Sequence, residues 1–254
     1  MKTAVRDMIY QQASSGKRGY WALFDPDDFT IEQAAGIARE SEEAGVDALL
    51  VGGSLLHSNH FDDFVASVKD STSLPVLLFP GDSTQLSAHA DALLYLSLVS
   101  GRNSDNLIGE HVKAAPLIKD LGIEPVSTAY MLVESGTVSS VEFMSNTRPI
   151  PRAKPTIAVA HALAAQYMGM QLVYLEAGSG ALQSVPAEMI AMVRSQIELP
   201  VIVGGGIRDA ATAKEKLDAG AHIIVTGNLL RKNDGIEMMR EIAAAVKRFA
   251  GGKQ

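Results

Sequence analysis

Eight short apolar runs recur along the chain, and each ends at or beside glycine, proline, or a small polar or charged residue. They span 20–24, 48–51, 76–79, 92–99, 125–133, 172–176, 201–203 and 222–226. Continuous apolar runs of this length are typical of parallel strands that helices cover on both faces. Their starts are spaced by about 29 residues on average, and one strand–helix–strand unit takes about 30. The pattern predicts a (β/α)8 barrel.

Helical patterns lie between most of these runs. They span 31–44, 106–121, 156–168, 186–197, 209–219 and 235–249. The first begins after Thr30 with Gln33 three residues later, which is a capping box, and it ends at Gly45. Eight strands alternating with helices indicate an α/β protein with a TIM barrel, and an open doubly wound sheet is the alternative. We expect residues 1–254 to form a single barrel domain with a short N-terminal helix.

Two connections depart from the regular spacing. Residues 81–91 leave room for only one or two helical turns, so we expect a barrel that is modified at the third crossover. Residues 135–154 are a surplus rich in serine, threonine and proline, with two arginines. A loop of this length in a barrel is more often functional than not, and a mobile surface excursion is the alternative.

The composition excludes several classes of function. None of the 254 residues is cysteine, which excludes disulfides, thiolate metal sites and a cysteine nucleophile. The formal net charge is −7 and aromatic residues make up 6%, so nucleic acid is a poor partner. The N-terminus lacks the apolar stretch of a signal peptide, and no run approaches the roughly 20 apolar residues of a membrane helix. We therefore expect a cytoplasmic protein.

Glycines cluster after the last two runs, where the active sites of such barrels lie. Residues 204–206 are all glycine, and Gly227 and Asn228 follow the eighth run. Glycines let main-chain N–H groups approach an anion, and the start of the next helix adds partial positive charge. The two loops predict a phosphate site, and tight strand–helix turns are the alternative. Such local dipoles allow an acidic protein to hold an anion.

Oxygen ligands follow the first two runs. Asp25 comes directly after the first run, and Ser54 follows two glycines after the second. Carboxylate and hydroxyl oxygens suit Mg²⁺, which keeps several waters and takes further ligands from substrate phosphates. Beside a phosphate site, they predict binding of Mg²⁺ and a diphosphate. The alternative is that the aspartate only caps the next helix.

One carboxylate ends an apolar run. Glu176 follows four apolar residues at 172–175, where a charged group is seldom left without a partner or a task. As a general base it would accept a hydroxyl proton from a substrate held at the glycine loops, a role typically worth about 10²–10⁴ in rate. The alternative is an ion pair with an arginine such as Arg208.

Taken together, the strand ends are more specific than any one of them. The stretch Tyr174-Leu175-Glu176-Ala177-Gly178-Ser179-Gly180, followed by 204–208 and 226–228, resembles the geranylgeranylglyceryl phosphate synthase family. The residues at 25–27 and 52–54 match the same family's first two strand ends. The resemblance covers residues 20–249 and is most specific at 174–180.

The resemblance implies a Mg²⁺-dependent prenyltransferase of ether-lipid biosynthesis. Such an enzyme joins the geranylgeranyl group of geranylgeranyl diphosphate to the 3-hydroxyl of sn-glycerol 1-phosphate and releases diphosphate. It implies that Asp25 and Ser54 bind Mg²⁺ and that Glu176 and Tyr174 are catalytic. The implied glycerol phosphate site comprises Tyr174, Leu175, Glu176, Ala177, Gly178, Ser179, Gly180, Gly205, Gly206, Gly227 and Asn228. An apolar groove at the third crossover and a homo-oligomer, dimer or hexamer, are also implied.

The sequence departs from the family at two positions. Asp28 stands where many members carry lysine, and Leu23 stands where some do. Arg102, Arg148 and Arg152 are candidates to replace the lysine contacts with phosphate. Three other functions stay open: a heptaprenylglyceryl phosphate synthase, a thiamine-phosphate-synthase-like transferase, and a phosphate-binding barrel without catalysis.

Overall fold

The computed structural model describes residues 3–57, 59–232 and 234–250, and its centre is a closed barrel of eight parallel strands. The strands are β1 (Gly19–Phe24), β2 (Ala48–Val51), β3 (Val76–Leu78), β4 (Ala92–Leu98), β5 (Glu124–Leu132), β6 (Leu172–Glu176), β7 (Val201–Gly204) and β8 (Ile223–Thr226). They pair in chain order, and β8 closes the barrel on β1. The predicted barrel is confirmed, and the open doubly wound sheet is excluded.

Helices cover the outside of this barrel. In the described part of the chain they are α1 (Ala4–Ser14), α2 (Ile31–Ala44), α3 (Phe61–Asp70), α4 (Glu110–Leu121), α5 (Ser140–Ser145), α6 (Pro155–Tyr167), α7 (Ala187–Arg194), α8 (Ala210–Asp218) and α9 (Gly235–Ala250). A π-helical turn (Asp105–Gly109) precedes α4, and a 3-10 turn (Asn228–Arg231) follows β8. Thr30 and Gln33 form the predicted capping box of α2. None of the described helices is long and apolar enough to cross a membrane.

The helices differ from the sequence prediction at three places. Helix α3 was not predicted, although Phe61, Phe64, Val65 and Val68 recur at helical spacing and are all buried. Helix α5 lies inside the surplus segment 135–154. The third crossover, 81–91, forms turns and bends with no helical turn at all, so the barrel lacks a helix between β3 and β4.

Side chains of the strands alternate between an inner and an outer apolar layer. Trp21 and Ile202, for example, point into the barrel, whereas the neighbouring Tyr20 and Val203 point outward against the helices. Helix α1 closes the amino-terminal end of the barrel, because its Val5 and Ile9 pack into the inner layer. This packing leaves the carboxyl ends of the strands as the open end.

A buried carboxylate fastens α1 to the barrel. Glu124, at the start of β5, is 2% exposed and accepts hydrogen bonds from the N–H groups of Val5 (3.0 Å) and Arg6 (2.8 Å). The side chain of Thr3 does not cap α1, so Glu124 satisfies two otherwise unpaired N–H groups of its first turn.

We expect Glu124→Ala to lower the free energy of unfolding by about 2–4 kcal/mol, because two hydrogen bonds to a charged group are lost. Urea denaturation followed by the fluorescence of the single tryptophan, Trp21, measures this change. The control is Thr3→Ala, which removes an exposed hydrogen bond to Asp7 and should cost less than about 0.5 kcal/mol. Equal losses in the two variants would contradict the role given to Glu124.

Candidate active site

Two adjoining cavities open at the carboxyl ends of the strands. The mouth cavity, of 150 Å³, lies among the residues that follow β1, β2, β6, β7 and β8. The groove cavity, of 310 Å³, lies beside the shortened third crossover, between β4, α4 and α5. The two share the residues Gly53, Ser54, Phe79, Tyr130 and Val141. One extended molecule can therefore occupy both.

Glu176 lies in the wall of the mouth cavity. It ends β6 and is 7% exposed, and its Oε1 accepts a hydrogen bond of 2.6 Å from the N–H of Gly178. Burial raises the pKa of Glu176 to about 7, and the Gly178 N–H and the neighbouring Tyr174 hydroxyl offset the burial only in part. Arg208 donates to the carbonyl of Ala181 at 2.6 Å, so the predicted alternative, an ion pair with Glu176, is not observed. The carboxyl group can exchange a proton near neutral pH.

Three aromatic rings form the floor between the two cavities. Phe79, Tyr130 and Tyr174 have ring centroids 5.4–5.8 Å apart. The Tyr174 hydroxyl is buried next to the Glu176 carboxylate, whose charged form it helps to stabilise. It flanks Gly204 together with Glu176, since a Cβ at Gly204 would collide with the hydroxyl and lie 2.7 Å from Glu176 Oε2. A hydroxyl and a carboxyl group therefore lie side by side in the wall of the mouth cavity.

Glycine loops form the wall of the mouth cavity next to Glu176. Gly205 and Gly206 have φ angles of 79° and 70°, which favour glycine. A Cβ at Gly205 would collide with Glu176 Oε1 and lie 2.7 Å from the nitrogen of Gly178. The loops after β6 and β8 are joined by a hydrogen bond of 2.9 Å from Ser179 Oγ to Asn228 Oδ1. These loops present main chain and small side chains, a surface suited to an anion.

Two residues of the predicted glycerol phosphate site turn away from this cavity. Leu175 and Ala177 are fully buried in the outer layer, because alternate side chains of a strand point to opposite faces. The N–H of Ala177 is also engaged, with the carbonyl of Gly204 at 3.1 Å. The mouth cavity is lined by the remaining residues of that prediction: Tyr174, Glu176, Gly178, Ser179, Gly180, Gly205, Gly206, Gly227 and Asn228.

Asp25 and Ser54, which follow β1 and β2, also line the mouth cavity. Asp25 is half-buried, burial raises its pKa, and its Oδ1 accepts a weak hydrogen bond of 3.2 Å from the N–H of Asp27. Its carboxylate packs on Gly53, where a Cβ would lie 2.9 Å from Oδ1. Because Thr30 caps α2, Asp25 is not the helix cap that the sequence left open.

The donor set around Asp25 is compatible with Mg²⁺ but incomplete. In the described ranges, no group of three or more His, Cys, Asp or Glu residues is placed to hold a metal. Asp25 and Ser54 supply one carboxylate and one hydroxyl, both hard oxygen donors. Mg²⁺ accepts such a set when waters and substrate phosphates complete it. The residues therefore fit a cation that arrives with a diphosphate.

Positive charge at the mouth comes from residues that were not predicted to contact phosphate. Arg231, in the 3-10 turn, donates from Nε to Asp28 Oδ2 at 2.6 Å, and it lines the cavity with Lys232 and Arg208. The candidates Arg102, Arg148 and Arg152 line neither cavity. The Arg102 guanidinium is engaged with the carbonyl of Gly101 (2.6 Å), and that of Arg152 with the carbonyl of Ser184 (2.7 Å).

The surplus segment 135–154 forms part of the wall. Val141, on α5, lines both cavities, and Ser139 packs so closely on Gly178 that a Cβ there would lie 2.9 Å from its Oγ. The base of the segment extends the sheet, with Ile150 N–H donating to the carbonyl of Leu132 at 2.8 Å. These contacts anchor the segment against the site.

Known proteins are similar over nearly the whole chain. A model of the PcrB family matches residues 12–246. The geranylgeranylglyceryl phosphate synthase of Chitinophaga pinensis is 42% identical over 246 residues, 97% of each chain. The synthase of Thermococcus gammatolerans is 48% identical over 223 residues, 87% of this chain and 88% of the relative.

Solved structures are also similar to this chain. The geranylgeranylglyceryl phosphate synthase of Thermoplasma acidophilum, in complex with the substrate sn-glycerol-1-phosphate, has a TM-score of 0.92 and 35% identity over 98% of this chain and 100% of that one. The thiamine phosphate pyrophosphorylase of Pyrococcus furiosus has a TM-score of 0.59 and 13% identity over 93% of this chain and 98% of that one, which shows a common fold only.

Proposed function

Because the chain belongs to the PcrB family, we propose that it joins a geranylgeranyl group from geranylgeranyl diphosphate to the 3-hydroxyl of sn-glycerol 1-phosphate. It is a prenyltransferase enzyme of this family, and its product is an ether-lipid precursor. One observation carries the proposal. A buried carboxyl group with a pKa of about 7, Glu176, lies where a glycine-lined cavity meets a largely apolar groove.

The mouth cavity fits glycerol phosphate. Its phosphate would lie against the glycine loops after β7 and β8, at the starts of α8 and the 3-10 turn, where main-chain dipoles favour an anion. Arg208 adds positive charge at the same side of the cavity. The 3-hydroxyl would then reach toward Glu176 and the Tyr174 hydroxyl, which both line the cavity.

The groove cavity fits the prenyl chain. Apolar side chains make up most of the wall, among them Leu86, Leu93, Leu96 and Met144. The groove begins at Phe79 and Tyr130, beside Ser54, so a diphosphate at Asp25 and Ser54 would have its chain directed into it. A small heterocyclic substrate would leave this groove empty, which argues against the thiamine-phosphate-type alternative. An assay with prenyl diphosphates of several lengths distinguishes a geranylgeranyl chain from a longer heptaprenyl chain.

The reaction balances with the residues present. The oxygen of the 3-hydroxyl forms a bond to C1 of the prenyl chain, the bond from C1 to the diphosphate oxygen breaks, and diphosphate leaves. Glu176 accepts the hydroxyl proton as general base. The barrel holds the hydroxyl in line with C1, and the aromatic floor and α5 exclude water from the junction.

We propose Mg²⁺ as the cofactor, held by Asp25 and Ser54. When bound, it would neutralise the charge that develops on the leaving diphosphate. Arg231 and Lys232 stand at the same mouth and offer further positive charge to the diphosphate. The ion pair with Asp28 orients Arg231 for this task.

We further propose a cytoplasmic homo-oligomer. Helices α4 and α6 carry large apolar side chains that are more than half exposed, Val112 and Leu117 on α4 and Tyr167 at the end of α6. Such side chains are common at interfaces between subunits. Light scattering on the purified protein gives the number of subunits.

The function is tested by incubating the protein with Mg²⁺, a glycerol phosphate and prenyl diphosphates of several lengths. We expect an ether product from sn-glycerol 1-phosphate and the 20-carbon diphosphate, and at least about tenfold less from sn-glycerol 3-phosphate, whose hydroxyl is misplaced when its phosphate is bound. Preference for a 35-carbon diphosphate would assign the heptaprenyl alternative. Absence of any ether product would refute the proposed function.

A further inference from the structure

A glutamine in the shortened third crossover binds the main chain at the end of β2. Gln85 is 1% exposed, and its side-chain amide makes two hydrogen bonds with a single residue. Its Oε1 accepts from the N–H of Gly53 at 3.2 Å, and its Nε2 donates to the carbonyl of Gly53 at 2.8 Å. A buried amide that pairs with both polar groups of one residue fixes the position and orientation of that residue.

Gly53 is the point where both oxygen donors of the candidate cation site are supported. The Asp25 carboxylate packs on its Cα, since a Cβ there would lie 2.9 Å from Oδ1 and 3.0 Å from Oδ2. Ser54 is the next residue along the chain. Gly81 packs on the other side, where a Cβ would lie 3.2 Å from the Ser54 carbonyl carbon and collide with the Gly53 oxygen. A shift of Gly53 therefore moves Ser54 and removes the surface on which Asp25 rests.

We propose that Gln85 is a positioning residue for the cation and the prenyl diphosphate. The inference rests on the proposed function of Asp25 and Ser54 and adds what holds them in place. The third crossover lacks the helix that would follow β3, and its turns bring the buried amide of Gln85 against the neighbouring strand end instead. The missing helix thus opens the groove for the prenyl chain, and the turns that replace it align the diphosphate end of the same substrate.

Gln85 acts on one half of the site only. Its described hydrogen bonds outside the crossover go to Gly53, and none goes to the Glu176 and Gly205 side of the mouth. Loss of the amide should therefore weaken binding of diphosphate with Mg²⁺ and leave binding of glycerol phosphate unchanged. A general loss of stability would weaken both.

The test uses Gln85→Met, which keeps the length and volume of the side chain and removes both hydrogen bonds, and Gln85→Ala as the larger change. The matched control is Gln171→Ala. Gln171 also binds a main-chain N–H, that of Ser127 at 2.9 Å, but at the start of β6, at the opposite end of the barrel. Calorimetry measures binding of inorganic diphosphate with Mg²⁺ and, separately, of sn-glycerol 1-phosphate. Hydrogen exchange reports the protection of the Gly53 N–H.

For Gln85→Met we expect a dissociation constant for diphosphate with Mg²⁺ that is about 10- to 100-fold higher, because the buried N–H and carbonyl of Gly53 lose their partner and Gly53 shifts. The KM for prenyl diphosphate should rise with it. The dissociation constant for glycerol 1-phosphate should stay unchanged, Gly53 should exchange faster, and Gln171→Ala should match the wild type in all of these.

Three results would contradict the inference, and they differ in what they refute. A wild-type protein whose affinity for diphosphate does not depend on Mg²⁺ would refute the proposed cation site, and the inference with it. A wild type that binds both, with Gln85→Met indistinguishable from it in affinity or in Gly53 exchange, would overturn the role of Gln85 alone. Equal weakening of both ligands in Gln85→Met would also overturn it, because that is the signature of a purely structural residue.

Discussion

Replacing Glu176 by glutamine should lower kcat by about 10²–10⁴-fold while glycerol 1-phosphate still binds, because the substitution removes a general base and little else. The amide keeps an oxygen to accept the 2.6 Å hydrogen bond from the Gly178 N–H. Its NH₂ group would take the place of Oε2 near the Tyr174 hydroxyl, whose oxygen can accept a hydrogen bond from it. The variant should therefore fold with the loops in place. Steady-state kinetics and calorimetry with glycerol 1-phosphate measure the two effects.

A matched control makes the same chemical change outside the cavity. Glu134 follows β5, is exposed, and lines neither cavity, so Glu134→Gln should turn over at the wild-type rate. Turnover of Glu176→Gln within a few-fold of the wild type would remove Glu176 as the base. Loss of glycerol phosphate binding in Glu176→Gln would instead make it a structural residue of the loops.

The pH dependence of kcat/KM should also identify Glu176 as the general base. Burial raises the pKa of Glu176 to about 7, so the carboxyl group is protonated at lower pH and cannot accept a proton. The kcat/KM of the wild type should rise as the pH increases through about 7, since this parameter reports the free enzyme. The residual activity of Glu176→Gln should lack this rise.

The barrel was predictable because its signals are local. Each strand is a short run of apolar residues closed by a glycine or polar residue, and β2 and β6 begin and end where the sequence indicated. The two ends of α2 are likewise marked by local signals, the capping box at Thr30 and the glycine at 45. Helix α3 carries a local signal too, the spacing of its buried phenylalanines and valines, although the sequence prediction did not include it.

The site was predictable where function follows from position at a strand end. Glu176 and Asp25 stand at such ends, so the closed barrel was sufficient to bring them to one cavity. Gln85 and the pair of Asp28 with Arg231 were not predictable, because these partners lie 32 and 203 residues apart and meet only through the tertiary fold. Leu175 was predicted to bind glycerol phosphate because it belongs to a continuous motif. Alternate side chains of a strand point to opposite faces, and that of Leu175 points away from the cavity.

Removal of divalent cations should abolish activity, and Mg²⁺ should restore it. Among the described residues, no group of three or more acidic or imidazole side chains is placed to hold a metal, so a cation at Asp25 and Ser54 depends on the substrate diphosphate and should be lost to a chelator. Stabilising the charge of the leaving diphosphate is worth several kcal/mol, which corresponds to about 10³-fold or more in rate. Full activity after thorough chelation would refute the metal assignment.

The single substitution Asp25→Asn should cause most of the loss of activity that removal of the cation causes. The amide keeps the size of the side chain, which rests on Gly53, but it removes the negative charge that holds the cation. We expect kcat/KM to fall by at least about 10²-fold and to recover in part at high Mg²⁺ concentration, since the ligand set is weakened and not removed. Asp27→Asn, two residues along in the same segment and outside both cavities, is the control and should stay near the wild type. Calorimetric titration of Mg²⁺ with inorganic diphosphate should show weaker binding in Asp25→Asn only. Equal affinity in the two variants would show that Asp25 does not bind the cation, and loss of the cation would then not explain the lower rate of Asp25→Asn.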